Sequence, residues 1–430
     1  MNHRYSLIVK GILSLLIIML GASFTLAYPI VVSGGTENDY ESWIERLPND
    51  TLMVVFCRNP DWASGDLYVT FSGDEGQTWS APQAIISRAG DQATLSFAVM
   101  PSDTIRLFYA SNEAGSYKIY SAWSLDGVNW TDEGIVDLGW AGNYQYYDPT
   151  VALEPDGSLT MSYVVMSNGV YVAHCPAGGQ WDTLKTQVAG TSSYRPRLMK
   201  HSDGTYLYAY HTRTGGQSDY DVFVRNSTDR LNWSEPVRIT TNLNSHDPFV
   251  CEMFDGAYMI SYAKAESGIY SLRCRFSYDG EDWGDEVEIT DDHVNSTQPH
   301  VLPEDHDLYL TYAYEASSSD DHDVCLLILD YYTAIKDDPR LAYDYKLKLE
   351  CYPNPFNARA NINFTIDTPQ QVRLDIFNVL GQHVTTLVDG YLEAGNHSIT
   401  WNANAEPSGI YFARLISLEK IKPVRLVLLK

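Results

Sequence analysis

The chain has 430 residues, enough for one large domain and one small one, and carries 29 basic against 55 acidic residues, a net charge of −26. Such an excess of carboxylates excludes nucleic acid and anionic membrane surfaces as partners. The six cysteines (57, 175, 251, 274, 325, 351) are too few and too scattered for a disulfide-built scaffold, and without a CxxC pair they do not suit a structural zinc site; most read as buried small hydrophobes.

The N-terminus reads as a signal peptide over residues 1–27. Arg4 and Lys10 flank an apolar run from Gly11 to Leu20, and Thr25-Leu26-Ala27 places small residues before the cut at Tyr28. The run is shorter than the ~20 residues a spanning helix needs, so no transmembrane segment is expected in the mature chain.

The next stretch is built on one recurring corner. In Ser72-Gly73-Asp74-Glu75-Gly76-Gln77-Thr78-Trp79, Ser72 and Asp74 can fold their oxygens back onto turn amides. Gly76 supplies a positive φ, and Trp79 buries its ring on the following strand. Eroded copies lie at Ser124–Trp130, Ser227–Trp233 and Ser277–Trp283. Trp79, Trp130, Trp181, Trp233 and Trp283 stand 51, 51, 52 and 50 residues apart. A period of that length, filled with short strands, predicts a β-propeller with one four-stranded blade per repeat. Polar turns near Asp50, Asp103, Gly157, Gly204, Gly256 and Asp307 each lead into an apolar strand with period-two alternation, as in Tyr206–Tyr210. Six turns predict six blades. The sixth repeat lacks a fourth strand, and Tyr28–Ser33 is expected to supply it and so close the ring.

The corner, with the strand Gly65–Phe71 that leads into it, resembles the Asp box of sialidases and related BNR-repeat proteins over roughly residues 28–335. The resemblance implies a six-bladed propeller and raises glycan-directed activity, although Asp boxes also occur in non-catalytic propellers.

A linker follows at 333–346, and the charge balance shifts there. Residues from Lys346 onward hold 9 basic and 7 acidic side chains, against 20 and 48 before them. Strands at Ile362–Ile366, Val372–Phe377, Ser398–Trp401 and Gly409–Leu415 predict a small Ig-like β-sandwich over 347–430. The opening Tyr352-Pro353-Asn354-Pro355-Phe356-Asn357 is followed in order by Gly381–Val384, Ala394–His397, Ser408–Phe412 and a terminal Leu-Leu-Lys. This unit resembles the C-terminal sorting domain of the bacterial type IX secretion system and the similar FlgD-like immunoglobulin module. The resemblance implies the type IX machinery as a partner and a secreted or cell-surface destination. The expected fold class is therefore all-β, a six-bladed propeller over 28–332 followed by an Ig-like sandwich.

Candidate chemistry lies where each blade's inner strand begins. Counting back nine residues from each polar turn finds Glu41, Thr94, Asp148, Arg195, Asp247 and Gln298, with Tyr40, Ala93, Tyr147, Tyr194, His246 and Thr297 just before them. These should ring the mouth of the central channel. Resemblance to sialidases would require three arginines, a Tyr–Glu nucleophile pair and an aspartic acid/base. Arg58 and Asp61 stand where such an arginine and acid/base are expected. The start of blade one, Tyr40-Glu41-Ser42-Trp43, holds no arginine, and the start of the last blade, Ser296–His300, holds no tyrosine. What the ring offers instead is Glu41, Asp148 and Asp247 in alternate blades as catalytic candidates, with Tyr147, Tyr194, Arg195 and His246 as substrate-binding candidates. Converging carboxylates suit glycosidic hydrolysis, one protonated and one ionised. Three other readings stay open: turn caps that spend the oxygens on local amides, glycan binding without turnover, and a calcium ion held by the carboxylates. No other cofactor is expected. The leading partner is an extracellular glycan, and the alternative is a non-catalytic propeller for protein binding or adhesion. His174, His201, His211, His293 and His300 show no metal-ligand spacing and read as surface or loop residues.

Overall fold

The computed structural model describes residues 29–430 except 36, 60–63, 214–218, 242–243, 291–294, 305–306, 316–321, 331–348, 367–369, 379–381, 394 and 418–419. The expected signal peptide and linker lie outside the described residues. Six antiparallel four-stranded sheets follow one another along the chain, and their first strands pack against each other around a common axis. Those inner strands are Asp39–Arg46, Gln92–Val99, Tyr146–Leu153, Ser193–Lys200, Ser245–Glu252 and Asn295–Glu304, for blades 1 to 6.

Closure follows the expected route. Ile30 and Val31 pair with Leu326 and Cys325 as the fourth strand of blade 6. Val32 N–H donates to Val324 O at 2.8 Å, and Val324 N–H donates to Ser33 Oγ at 2.9 Å. The seam is apolar, since Val32, Ile44, Val54 and Phe56 pack with Tyr309 and Leu326 in one buried cluster.

The corners fold as their side chains dictate. In the second copy, Asp126 Oδ1 accepts the amides of Val128 and Asn129 at 2.9 and 2.8 Å, and Trp130 Nε1 donates to Gly127 O at 2.9 Å. Those amides hold the Asp126 carboxyl well below the usual carboxylate range. Gly76, at φ +79°, is required on a second count, because a Cβ there would meet Leu326 Cδ2 at 2.7 Å. The first corner is thereby packed onto blade 6.

The expected alternation of burial in the strands does not hold. Leu159–Val165 is buried at all seven positions, and Tyr206–Tyr210 at all five. Side chains do point to opposite faces, but each blade is sandwiched between two others, so both faces are dry. Four of the cysteines are buried, Cys175 and Cys351 are partly exposed, and all six are free thiols.

The C-terminal unit is a two-sheet sandwich. Leu349–Tyr352, Arg359–Ile366 and Gly395–Asn402 form one sheet; His383–Leu392, Gln370–Asn378, Gly409–Ser417 and Lys420–Leu428 form the other. Ile362, Phe364, Leu374, Trp401, Tyr411, Leu415 and Leu428 fill the space between them.

Candidate functional site

Each inner strand carries a β-bulge at its start. The pairing register slips between Tyr40 and Trp43, Ala93 and Leu95, Tyr147 and Thr150, Tyr194 and Arg197, His246 and Phe249, and Thr297 and His300. The residue inside the bulge is the ring residue read from the sequence, and every one has positive φ: Glu41 55°, Thr94 38°, Asp148 52°, Arg195 52°, Asp247 51° and Gln298 55°. None is glycine, so each position stores backbone strain that surrounding contacts must offset.

Those contacts run from blade to blade. Glu41 N–H donates to Gln298 Oε1 at 3.0 Å, Asp148 N–H to Thr94 Oγ1 at 3.2 Å, and Arg195 N–H to Asp148 Oδ2 at 3.4 Å. In each case the acceptor belongs to the preceding blade. An arginine accepts no hydrogen bond, and in the next blade Asp247 N–H turns instead to His211 Nδ1, at 3.1 Å. For Asp148 the amide it accepts is not local but belongs to the blade beside it.

The three ring carboxylates converge on one cation. Arg195 Nη1 is in ion-pair contact with Glu41 Oε1 and lies 3.6 Å from Asp148 Oδ1, while its Nε lies 3.4 Å from Asp247 Oδ1. Spanning one guanidinium, the Asp148 and Asp247 oxygens can stand no more than roughly 9 Å apart, below the upper limit of about 9.5 Å for a glycosidase pair. Glu41 also accepts from Gln298 Nε2 at 3.1 Å, and Asp247 Oδ2 pairs with His246 Nδ1 at 2.9 Å. Burial raises the Glu41 carboxyl above its ordinary value, and Asp148 and Asp247 raise it further against the pull of Arg195 and Arg197. Burial alone would do the same to Asp247, but His246 and Arg195 outweigh it and hold that carboxyl low. Among the described residues no group of three His, Cys, Asp or Glu is arranged for a metal ion; the ring carboxylates face a guanidinium.

One layer deeper, two residues along each inner strand, the channel is plugged. Trp43, Phe249 and His300 pack ring to ring, with centroids 4.2 Å apart for Trp43–His300 and for Phe249–His300. Arg197 shares this floor. Burial and the adjoining Arg197 keep His300 neutral. Above the floor, a cavity of about 490 Å³, a common size for a ligand site, opens between blades 2, 3 and 4. Its walls include Tyr117, Tyr147 and Tyr194, with Asp148, Arg195 and His211 at their edge. Tyr117 is held by a 2.5 Å hydrogen bond from its hydroxyl to the buried Asp91, which also accepts from Asn59 Nδ2 and Gly65 N.

Of the sequence candidates, Glu41, Asp148, Arg195, Asp247 and His246 meet at the channel mouth, and Tyr147 and Tyr194 line the cavity beside them. Arg58 does not join them. It makes two 2.7 Å hydrogen bonds to Asp39, pairs with Glu37 at 3.3 Å and lies over the Tyr68 ring. Asp61 lies outside the described residues. Sequence reasoning missed Arg197, although Arg195-Pro196-Arg197 places two cations at strand spacing. It also missed Tyr117, in the loop joining the second and third strands of blade 2. The histidine reading is corrected for His211 and His300, which are buried within strands, while His201 is buried but lies in a turn; burial drives the His211 imidazole down to about 3. His293 lies outside the described residues.

The fold is a six-bladed propeller of the sialidase-like kind joined to an Ig-like module. Residues 350–428 of that module match the family described as secretion system C-terminal sorting domain, which places the protein outside the cell or on its surface by type IX secretion. No curated protein matches the chain. Among solved structures, it is similar to a Dyadobacter fermentans protein of unknown function, with TM-score 0.59 and 13% identity over 70% of this chain and 97% of that one. It is similar also to the Penicillium chrysogenum α-L-arabinanase complexed with arabinobiose (TM-score 0.53, 17% identity, 71% and 99% covered). A mutant NanB sialidase of Streptococcus pneumoniae gives 0.56, 10%, 71% and 71%. At these identities the likeness shows the fold. No helix among the described residues is long and apolar enough to cross a membrane.

The sorting assignment has a direct test. Deleting Leu347–Lys430 should leave the propeller folded and stop it in the periplasm, as fractionation and immunoblotting would show. Full-yield secretion of the truncated chain would contradict it.

Proposed function

We propose that the protein recognises an extracellular glycan in the tyrosine-walled cavity between blades 2, 3 and 4. The observation that carries this reading is the meeting of Tyr147, Asp148, Tyr194 and Arg195, found by position in the repeat, along one cavity of ligand size. Tyrosine rings offer stacking faces for sugars, and an adjoining carboxylate and imidazole offer hydroxyl partners. Export to the cell exterior puts the site where polysaccharides are. The arabinanase and sialidases of the same fold, as their names describe them, act on glycans. A glycan array on the full mature chain tests the proposal. Binding of no sugar would favour the adhesion alternative.

A second reading, glycoside hydrolysis, is favoured by the opposed titration of Glu41 and Asp247. Environments that push two carboxyls apart assign an acid and an ionised partner. Glu41 would donate to the leaving oxygen, and Asp247 or Asp148 would activate water or attack. On a panel of chromogenic glycosides, Glu41→Gln, Asp148→Asn and Asp247→Asn should each lower turnover by ~10²–10⁴-fold while binding persists. The sialoside of the panel should be inert, since neither the blade-one arginine nor the last-blade tyrosine is present. If calcium is the ring's true ligand, a chelator would reproduce the mutants and added calcium would raise the wild-type melting temperature.

A further inference from the structure

Resting on the glycan reading, the charge arrangement narrows which glycans fit: we propose that the cavity takes neutral sugars and rejects those bearing carboxylate or sulfate groups.

An acidic sugar needs a cation with bonding capacity to spare. Arg195, at the cavity edge, is already shared by Glu41, Asp148 and Asp247, so this layer carries three carboxylates against one guanidinium. His246 is turned onto Asp247. Arg58 is taken by Asp39 and Glu37 at a different place on blade 1. His211 lines the cavity but accepts the Asp247 amide at Nδ1, which makes it a neutral imidazole with its proton on the other nitrogen. It can serve a hydroxyl and attracts no anion. Arg213 lies over the Tyr220 ring and Lys118 over the Tyr146 ring, and neither lines the cavity. On the inner strands at this end, the other described cation is Arg197. Its Nη1 donates to Pro196 O at 3.0 Å, its Nε has no partner among the described residues, and no carboxylate there lies within ion-pair distance. It sits on the aromatic floor, one layer below the ring, so an anion would have to pass three carboxylates to reach it.

The rest of the lining agrees. Tyr117, Tyr147, Tyr194, Met166 and Ala93 present ring faces and apolar atoms, while Thr94 and Gln145 offer uncharged polar ones. This is a surface for the faces and hydroxyls of an uncharged sugar. A carboxylate brought beside Asp148 meets a like charge in a partly dry site, where screening is weak.

The test uses matched pairs on the full mature chain by titration calorimetry. Galacto-oligosaccharides are compared with galacturono-oligosaccharides, lactose with sialyllactose, and a neutral galactan fragment with its sulfated form. In at least one pair the neutral member is expected to bind, with its acidic counterpart weaker by about tenfold or more, as like-charge juxtaposition demands. That gap should shrink in 1 M salt and in Asp148→Asn. Acidic members binding as tightly as neutral ones, or selective loss of acidic-sugar binding in Arg197→Met, would overturn the inference and leave glycan recognition standing. Failure of both members of every pair, with none of the array's sugars bound, would overturn both.

Discussion

Replacing Arg195 by methionine should cost the propeller about 3–5 kcal/mol, the usual loss when one partner of a buried ionic group is removed. In melting temperature that is a fall of roughly 10 °C. Three carboxyl groups now in contact with one guanidinium would face each other without it. The pH dependence identifies the cause. Glu41 has a raised carboxyl in the folded chain, so its contribution is fully present below the ordinary glutamate value and is lost as pH rises through the raised one. Asp247 is held low, so its contribution is present above the ordinary aspartate value and is lost as pH falls through the lowered one. Without Arg195 the Glu41 and Asp247 carboxyls shift upward, and the variant should regain stability as pH falls from 7 toward 5. Chemical unfolding at several pH values measures this. A destabilisation that stays constant across that window would mean lost packing and not charge. Should the methionine variant fail to fold, Arg195→Lys keeps the charge without the planar fork and should fall between the two.

The second large effect concerns closure. Removing residues 28–33 deletes the fourth strand of blade 6, the bonds that join Val32 and Ser33 to Val324, and the buried Val32 side chain. It also bares the edge of His322–Asp330, a template for pairing with another chain. The truncated protein should melt well below wild type and aggregate with increasing concentration. A synthetic peptide spanning 28–35 should restore the melt if the strand acts by pairing. An unchanged melt after truncation would show that the seal is made elsewhere.

The architecture could be read from the sequence because its signals are periodic and local. Tryptophans near every fifty-first residue and a polar turn before each second strand need no knowledge of tertiary contacts. The ring positions followed from the same count, since equivalent places in equivalent blades lie at equal chain offsets. What could not be read were contacts that cross blades. Glu41 meets Gln298 across 257 residues, and Arg195 meets Asp148 across 47. Spacing tells which blade a side chain belongs to, but not which neighbour its atoms reach. Arg58 shows the cost of that gap: loop position placed it near the site, and Asp39 at the start of its own blade captures it. The histidines failed for a related reason. His211 and His300 are polar letters in short strands, and only the packing of adjacent blades makes them interior groups.

The repeated bulge has a consequence for how such a protein can change. Left-handed backbone costs an ordinary residue roughly 1–2 kcal/mol, yet all six ring positions carry a side chain where glycine would be free of strain. Each bulge lies at the channel rim, with the paired body of its blade and the buried clusters between blades on either side of it. The ring is therefore six seats, linked to one another, on a frame that lies outside them. A substitution at one seat alters the charge or shape of the mouth while the blade cores stay as they are. Six letters, changed in sets where they touch across blades, allow a large number of distinct mouths on one scaffold. Proteins of this fold can then diverge to little more than a tenth of shared residues, with differing reactions, without any blade having to be rebuilt.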